Sequence, residues 1–359
     1  MANPAGLDLG SRTIKAISLS KSKEGFGLTG IGFQELPFPE EEIPREELVG
    51  DALRRFMRES GMRLKDVTVS LSGEFSSVKA ADMPKMGREE LANVLPYEIE
   101  QYLAINPEEN VIDFQILGDS KSDATKMNVI LAAGRLDAAE SLYKVVSSAK
   151  LNCSAIDVDE LALANMFEVN YAWEEDYRKV VCLLNIGNRT TSVIIFDEGV
   201  VKYNRIIPIA GEVLTKDIQR DFALKAEQAE DLKKEQAKIV VEDSSSFSLT
   251  MFDREDRSLR LYEAISTSVN KMIQEVKRCF DHYDTQFKGR SVERILLSGG
   301  GARLKNLERF LADKLGVAVE FVDPFRQIRI PSRGPAAGII ESNGVVFGVS
   351  VGLALRRFG

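Results

Sequence analysis

Two short stretches of this sequence repeat one set of polar residues between apolar flanks. The first runs Asp8, Gly10, Ser11, Arg12, Thr13, Lys15, and the second runs Asn185, Gly187, Asn188, Arg189, Thr190, Thr191. Each reads as a turn between two strands, within GLDLGSRTIKAISL and LLNIGNRTTSVIIF. Such a turn exposes consecutive backbone N–H groups, its glycine lets an anion come close, and its hydroxyls add donors. Asp8 suits Mg²⁺, held directly or through water, with Lys15 opposite the phosphates. Alone, either turn reads as a hairpin with good turn chemistry. As a pair, one in each half of the chain, they read as a phosphate clamp between two lobes.

A third glycine turn, SGGGA with Gly299, Gly300 and Gly301, follows an apolar strand and precedes a helix and Arg303. It suits an adenine and ribose face, or a phosphate at a helix N-terminus. No GK[ST] follows it, and it lacks the spacing of a dinucleotide fingerprint. On its own it equally serves tight strand-to-helix packing.

The elements that must hold these turns follow from periodicity. The repeated hairpin argues for two related lobes, and the 359 residues allow them. Helical spacing covers 46–60, 85–104, the run after MNVILAAG, the charged run 212–238 and one long stretch from Asp256 to Phe287. Strand patterns cover 66–73, 111–117, 127–134 and 294–298. The fold class is therefore α/β, with mixed sheets and a small α+β insert near 84–150.

Composition narrows the function. The chain is 44% hydrophobic and 28% charged, as folded proteins are. A net charge of −8 argues against general binding to nucleic acid or anionic lipid. No apolar run reaches the length of a spanning helix, and Asp8, Arg12 and Lys15 interrupt any signal-peptide core. Cys153, Cys182 and Cys279 are far apart and only His282 accompanies them, so a zinc site is not expected. The methionines read as packing residues, Trp173 as part of a surface connector, and His282 as a helix-surface histidine.

The order of the three turns resembles the phosphate-1, phosphate-2 and adenosine motifs of the actin-like ATPase superfamily, which includes FtsA, MreB, heat-shock chaperones and sugar kinases. GEVLT (211–215) resembles the turn that brings Gly211 and Glu212 to the nucleotide. AEDLK (229–233) resembles the helix that brings Glu230 and Lys233 to ribose and adenine. GVVFGVSVGLALR (344–356) resembles the closing hinge helix. The resemblance implies ATP or ADP with Mg²⁺ in a cleft between the lobes. The ATP-binding set would be Gly10, Ser11, Arg12, Thr13, Lys15, Gly187, Asn188, Arg189, Thr190, Gly211, Glu212, Glu230, Lys233, Gly299, Gly300, Gly301 and Arg303. Asp8 and Asn185 would be the metal positions.

Two departures bear on mechanism. The phosphate-2 turn usually opens with Asp, and here Asn185 carries no charge. The water-positioning acid falls on Asp159 in DELALA, with Glu160 as its neighbour. Both imply slow or absent hydrolysis.

Within the superfamily, LPYEIEQYLAINPEENVIDFQIL (95–117) and LERFLADKLGVAVEFVDPF (307–325) resemble the PilM family of type IV pilus assembly proteins. That resemblance implies a cytoplasmic, ATP-loaded platform that docks the cytoplasmic N-terminal peptide of PilN in a groove between the first lobe and the insert. Membrane contact would be indirect, and pilus motor ATPases are further candidate partners. The expected first lobe is 1–180, with 336–359 returning to it. The expected second lobe is 181–335, with a subdomain at about 212–290. A polymerising FtsA- or MreB-like ATPase and a small-molecule kinase remain the other classes.

Overall fold

The computed structural model describes residues 5–38, 43–120, 123–172, 175–240, 257–287, 289–332, 334 and 336–358. Trp173, Met251 and the polar stretch 244–250 lie outside these residues.

The first sheet opens with an antiparallel meander of β1 (Ala5–Leu9), β2 (Thr13–Ser22) and β3 (Gly25–Glu35). β4 (Asp66–Leu71) joins β1 in parallel, and β8 (Asn152–Val158) joins β4 in parallel. The short β14 (Ile328–Arg329) caps the outer edge of β3. The second sheet repeats this plan. β9 (Val181–Ile186), β10 (Thr191–Asp197) and β11 (Val200–Ile207) form the meander, and β12 (Arg294–Ser298) and β13 (Ala318–Phe321) add in parallel beyond β9. Strand order is thus β3-β2-β1-β4-β8 in one and β11-β10-β9-β12-β13 in the other. The near-continuous apolar runs in β9 and β10 fit strands covered on both faces.

A third, antiparallel sheet has the order β5 (Ser76–Pro84), β7 (Lys126–Arg135), β6 (Asn110–Asp119). One face is covered by α2 (Arg88–Tyr102), whose Leu91, Leu95 and Ile99 recur every fourth residue and meet Met83, Val129 and Leu131. This small sheet takes in β5, before residue 84. It leaves out α3 (Leu136–Ser148), which lies within 84–150. Val145 and Val146 of α3 pack instead with Val49, Leu53 and Phe56 of α1 (Arg45–Glu59) on the first sheet.

Packed against residues of both large sheets, α4 (Asp159–Tyr171) crosses α11 (Gly348–Leu355). The crossing is close enough that a Cβ on Gly352 would fall on the Ala162 carbonyl, and Gly6 of β1 is equally tight against Ser350 and Ala354. α5 (Glu175–Arg178) leads into the second sheet. There α6 (Gly211–Phe222), α7 (Ala226–Gln236), α8 (Arg257–Gln286) and α9 (Leu307–Leu315) surround a core that includes Leu184, Ile195, Ile265 and Met272. The charged run 212–238 is two helices rather than one, because Ala223 turns left-handed (φ 52°) and ends α6. Met83, Met166 and Met272 are buried packing residues, and His282 is exposed on α8.

Among the described residues no single helix is long and apolar enough to cross a membrane. α10 (Ala336–Asn343) with its following turn, taken together with α11, has the length but bends by 102°. Every residue of α11 is buried.

Candidate functional site

The first turn is organised by β-register. Asp8 and Lys15 face each other across β1 and β2, and their side chains form an ion pair at 2.8 Å with little solvent exposure. Lys15 Nζ also donates to Thr13 Oγ1 at 3.1 Å. A Cβ on Gly10 would stand 3.4 Å from Lys15 Nζ and 3.6 Å from Asp8 Oδ1, so glycine keeps the space over this pair clear.

The first residue of α4 brings Asp159 to the same place. Its Oδ1 accepts a hydrogen bond from Ser70 Oγ of β4 at 2.6 Å. Burial, and then the charges of Asp8 and Glu160, push the Asp159 carboxyl well above its usual range, while Ser70 and Lys15 oppose the shift. Glu160 turns the other way. Its Oε2 accepts from Ser76 Oγ at 3.3 Å, its buried Oε1 has no partner, and burial raises its carboxyl to about 7. Of the two adjacent acids, only Asp159 faces the first turn.

The second turn is closed by Gly187 N–H donating to the Thr190 carbonyl at 2.9 Å. The N-terminus of α6 docks on it: Gly211 N–H donates to the Gly187 carbonyl at 3.2 Å, and Glu212 N–H to the Asn188 carbonyl at 2.7 Å. A Cβ on Gly211 would lie 3.3 Å from the Gly187 oxygen and 3.4 Å from Lys233 Nζ. Lys233 Nζ in turn reaches the Gly211 carbonyl (2.9 Å), Thr215 Oγ1 (2.7 Å) and Glu230 Oε2 (2.7 Å). Burial works against Glu230, but the charge and hydrogen bonding of Lys233 outweigh it and hold the carboxyl below its usual range.

The third turn is wedged onto the second. Gly299 has φ +91°, and a Cβ there would strike the Ile186 carbonyl and lie 2.8 Å from Asn185 Oδ1. Gly301 packs against the Ile186 side chain, while Gly300 faces open space. Gly299 N–H and Ser298 Oγ both donate to the Val345 carbonyl at 3.1 Å, tying this turn to the segment before α11.

The arginines do not converge. Arg12 donates to the Pro37 carbonyl at 3.0 Å and lies over the Phe38 ring. Arg303 donates to Asn343 Oδ1 at 3.1 Å. Arg189 reaches out of the second turn to Glu74 at 3.2 Å. Ser11 and Thr190 stay half-buried in their turns. The two halves nonetheless meet, through Arg189–Glu74 and through Lys234–Glu35 at 2.8 Å, and Lys233 feels the charge of Arg12. Ser70 and Glu74 carried no sequence signal, because each is defined only by a partner distant in the chain.

These donors fit a magnesium nucleotide. Among the described residues no group of three or more His, Cys, Asp and Glu could hold a metal by itself. Asp8 is a single carboxylate, which suits an ion that takes its remaining oxygens from phosphate and water.

Known proteins share this architecture. The solved "PilM-PilN type IV pilus biogenesis complex" matches with TM-score 0.82 and 25% identity, over 99% of this chain and 98% of that one. MreB5 of Spiroplasma citri, solved bound to AMPPNP, matches with TM-score 0.52 and 14% identity, over 98% and 95%. Cell division protein FtsA of Bacillus subtilis is 20% identical over 370 residues, covering 93% of this chain and 82% of its own length. The sequence model of the family of type IV pilus assembly protein PilM matches residues 6–358. With its paired sheets and glycine turns, the chain belongs to the PilM family, within the actin-like ATPase superfamily.

Proposed function

We propose that the chain is an ATP-binding platform of a type IV pilus assembly complex that docks the cytoplasmic N-terminal peptide of a PilN-like protein and hydrolyses ATP slowly or not at all. The observation that carries the nucleotide reading is the Asp8–Lys15 pair, cleared by Gly10 and flanked by Asp159. Asp8 holds Mg²⁺ or its water, and Lys15 faces the phosphates. Gly211, Glu230 and Lys233 line the ribose and adenine end. Mg²⁺, when bound, neutralises phosphate charge. Slow turnover follows from the residues: Asn185 brings no charge to the second turn, where a carboxylate would position the metal's waters.

The peptide reading rests on the seam between the small sheet and α3. Val111 of β6 pairs with Gly134, two residues before Leu136 at the start of α3, and Tyr143 follows two turns along. All three are exposed, at 53%, 42% and 55%. Exposed apolar side chains grouped at one seam suit a short apolar peptide. The platform would then sit on the cytoplasmic face, with membrane contact only through this partner.

Calorimetry tests both readings. ATP with Mg²⁺ should bind the wild type, with little ADP formed, and a synthetic N-terminal PilN peptide should bind. Leu136→Asp with Tyr143→Ala should abolish peptide binding and leave ATP binding unchanged. Absence of ATP binding would overturn the nucleotide reading. Retained peptide binding in the variant would overturn the seam. ATP-dependent sedimentation, or turnover that depends on an added acceptor, would move the assignment to a filament or a kinase.

A further inference from the structure

Arg189 leaves the second turn and crosses to the first lobe. Its Nη1 donates to Glu74 Oε2 at 3.2 Å, and its Nε lies 3.6 Å from Glu212 Oε2. The other Glu212 oxygen holds Lys216 Nζ at 2.7 Å. Arg45, at the start of α1, feels Arg189 as a repulsion and Glu74 and Glu212 as attractions. The group therefore contains three cations (Arg45, Arg189, Lys216) and two carboxylates (Glu74, Glu212), which leaves one positive charge uncompensated among them.

Glu74 stands at the tip of a tight turn closed by Phe75 N–H to the Ser72 carbonyl at 2.8 Å, and β5 begins at the next residue, Ser76. The turn has little room. A Cβ on Gly73 would lie 2.6 Å from Glu160 Oε1 and would strike Ile206 of β11. Phe75 and Arg135 join it to the far end of β7 through a backbone hydrogen bond at 2.9 Å. A displacement of Glu74 is therefore passed to the small sheet.

We propose that Glu74 is an internal stand-in for phosphate: the terminal phosphate of a bound nucleotide competes with Glu74 for the Arg189 guanidinium, and its binding frees the 72–75 turn that leads into β5. This rests on the nucleotide reading above and adds to it a route from the cleft to the small sheet. The balance favours phosphate. The Arg189 and Glu74 side chains are 39% and 40% exposed, so their pair is screened and weak. A phosphate carries more charge, and two of its oxygens match a guanidinium fork that Glu74 meets through one. The contact is between two partly exposed side chains, so the exchange asks for a side-chain swing rather than a change of fold.

The test compares wild type with Glu74→Gln, titrated with ATP and with adenosine, and follows amide hydrogen exchange over residues 73–80. Glu74→Gln should bind ATP about two- to fivefold more tightly, the range an exposed ion pair supplies, and should bind adenosine unchanged. ATP should speed exchange in the wild-type turn, and Glu74→Gln should show that faster exchange without nucleotide. In an Arg189→Gln background the Glu74 substitution should give no gain. If both chains bind ATP equally, or if adenosine gains as much as ATP, the stand-in role is wrong while nucleotide binding stands. If neither chain binds ATP, both readings fall.

Discussion

Gly352 of α11 lies against the backbone of Ala162 in α4, so close that a Cβ would fall on the Ala162 carbonyl oxygen. Asp159 stands one turn earlier on α4, and β1, which carries Asp8, packs on α11 through Gly6. The acids of the site are therefore spaced by how closely these helices and this strand approach. Their separation is a packing dimension rather than a loop conformation.

Gly352→Ala should consequently cost about 3 kcal/mol of stability, the upper range for overpacking a closed contact. Urea denaturation checks this. Gly300→Ala, in a position with open space, is the matched control and should cost less than about 1 kcal/mol. Equal effects at the two glycines would contradict the packing account.

Removing Asp8 strands a nearly buried ammonium. Asp8→Ala should lower stability by about 3 kcal/mol through unpaired Lys15, and should abolish magnesium-dependent ATP binding. The double variant Asp8→Ala with Lys15→Met should recover most of the stability and none of the binding. Recovery of binding would show that the pair is structural only.

Glu160 makes stability depend on pH. Its folded carboxyl is raised from 4.5 to about 7, so the folded state holds the proton more tightly than the unfolded chain. Its contribution is intact below about 4.5 and is lost as pH rises through about 7, a loss of about 3 kcal/mol by linkage. Glu160→Gln keeps the neutral shape. It should match wild type at about pH 4 and exceed it at about pH 8 in urea titrations. The same difference at both pH values would remove the titration from the explanation.

Asp159→Asn should leave ATP affinity within about twofold and lower any residual ADP formation by at least about 100-fold. Single-turnover assays separate the two quantities. An unchanged rate would mean that Asp159 does not touch the attacking water.

Much of this was readable in advance, because periodicity and turn chemistry are local. The hairpins around Gly10 and Gly187, the helix at 257–286 and the strand before Gly299 all follow from residues within a few positions of one another. β5 was not legible: SSVKAADMP has only Val78 and Met83 buried, and it pairs with a strand some fifty residues on. The break at Ala223 was hidden for a different reason, since alanine favours helix and its left-handed turn is imposed by packing of α7 on α6. At the site, residue types located the turns. The outward paths of Arg12, Arg189 and Arg303 depend on Pro37, Glu74 and Asn343, which no local pattern names. Sequence put the water-positioning acid at Asp159 with Glu160 beside it, but the different surroundings of the two depend on Ser70 and Ser76, which no local pattern names.

The shared strand order of the two large sheets has one more consequence. In the first sheet Asp8 sits opposite Lys15; at the same register in the second, Asn185 sits opposite Ser192. The repeated hairpin thus carries a charged pair in one copy and a neutral pair in the other. Two unchanged copies would present the same face from either side and bind a chain of phosphates in either direction. With this pair charged in one copy and neutral in the other, a nucleotide bound as proposed would have a head and a tail, its most charged end turned to Lys15.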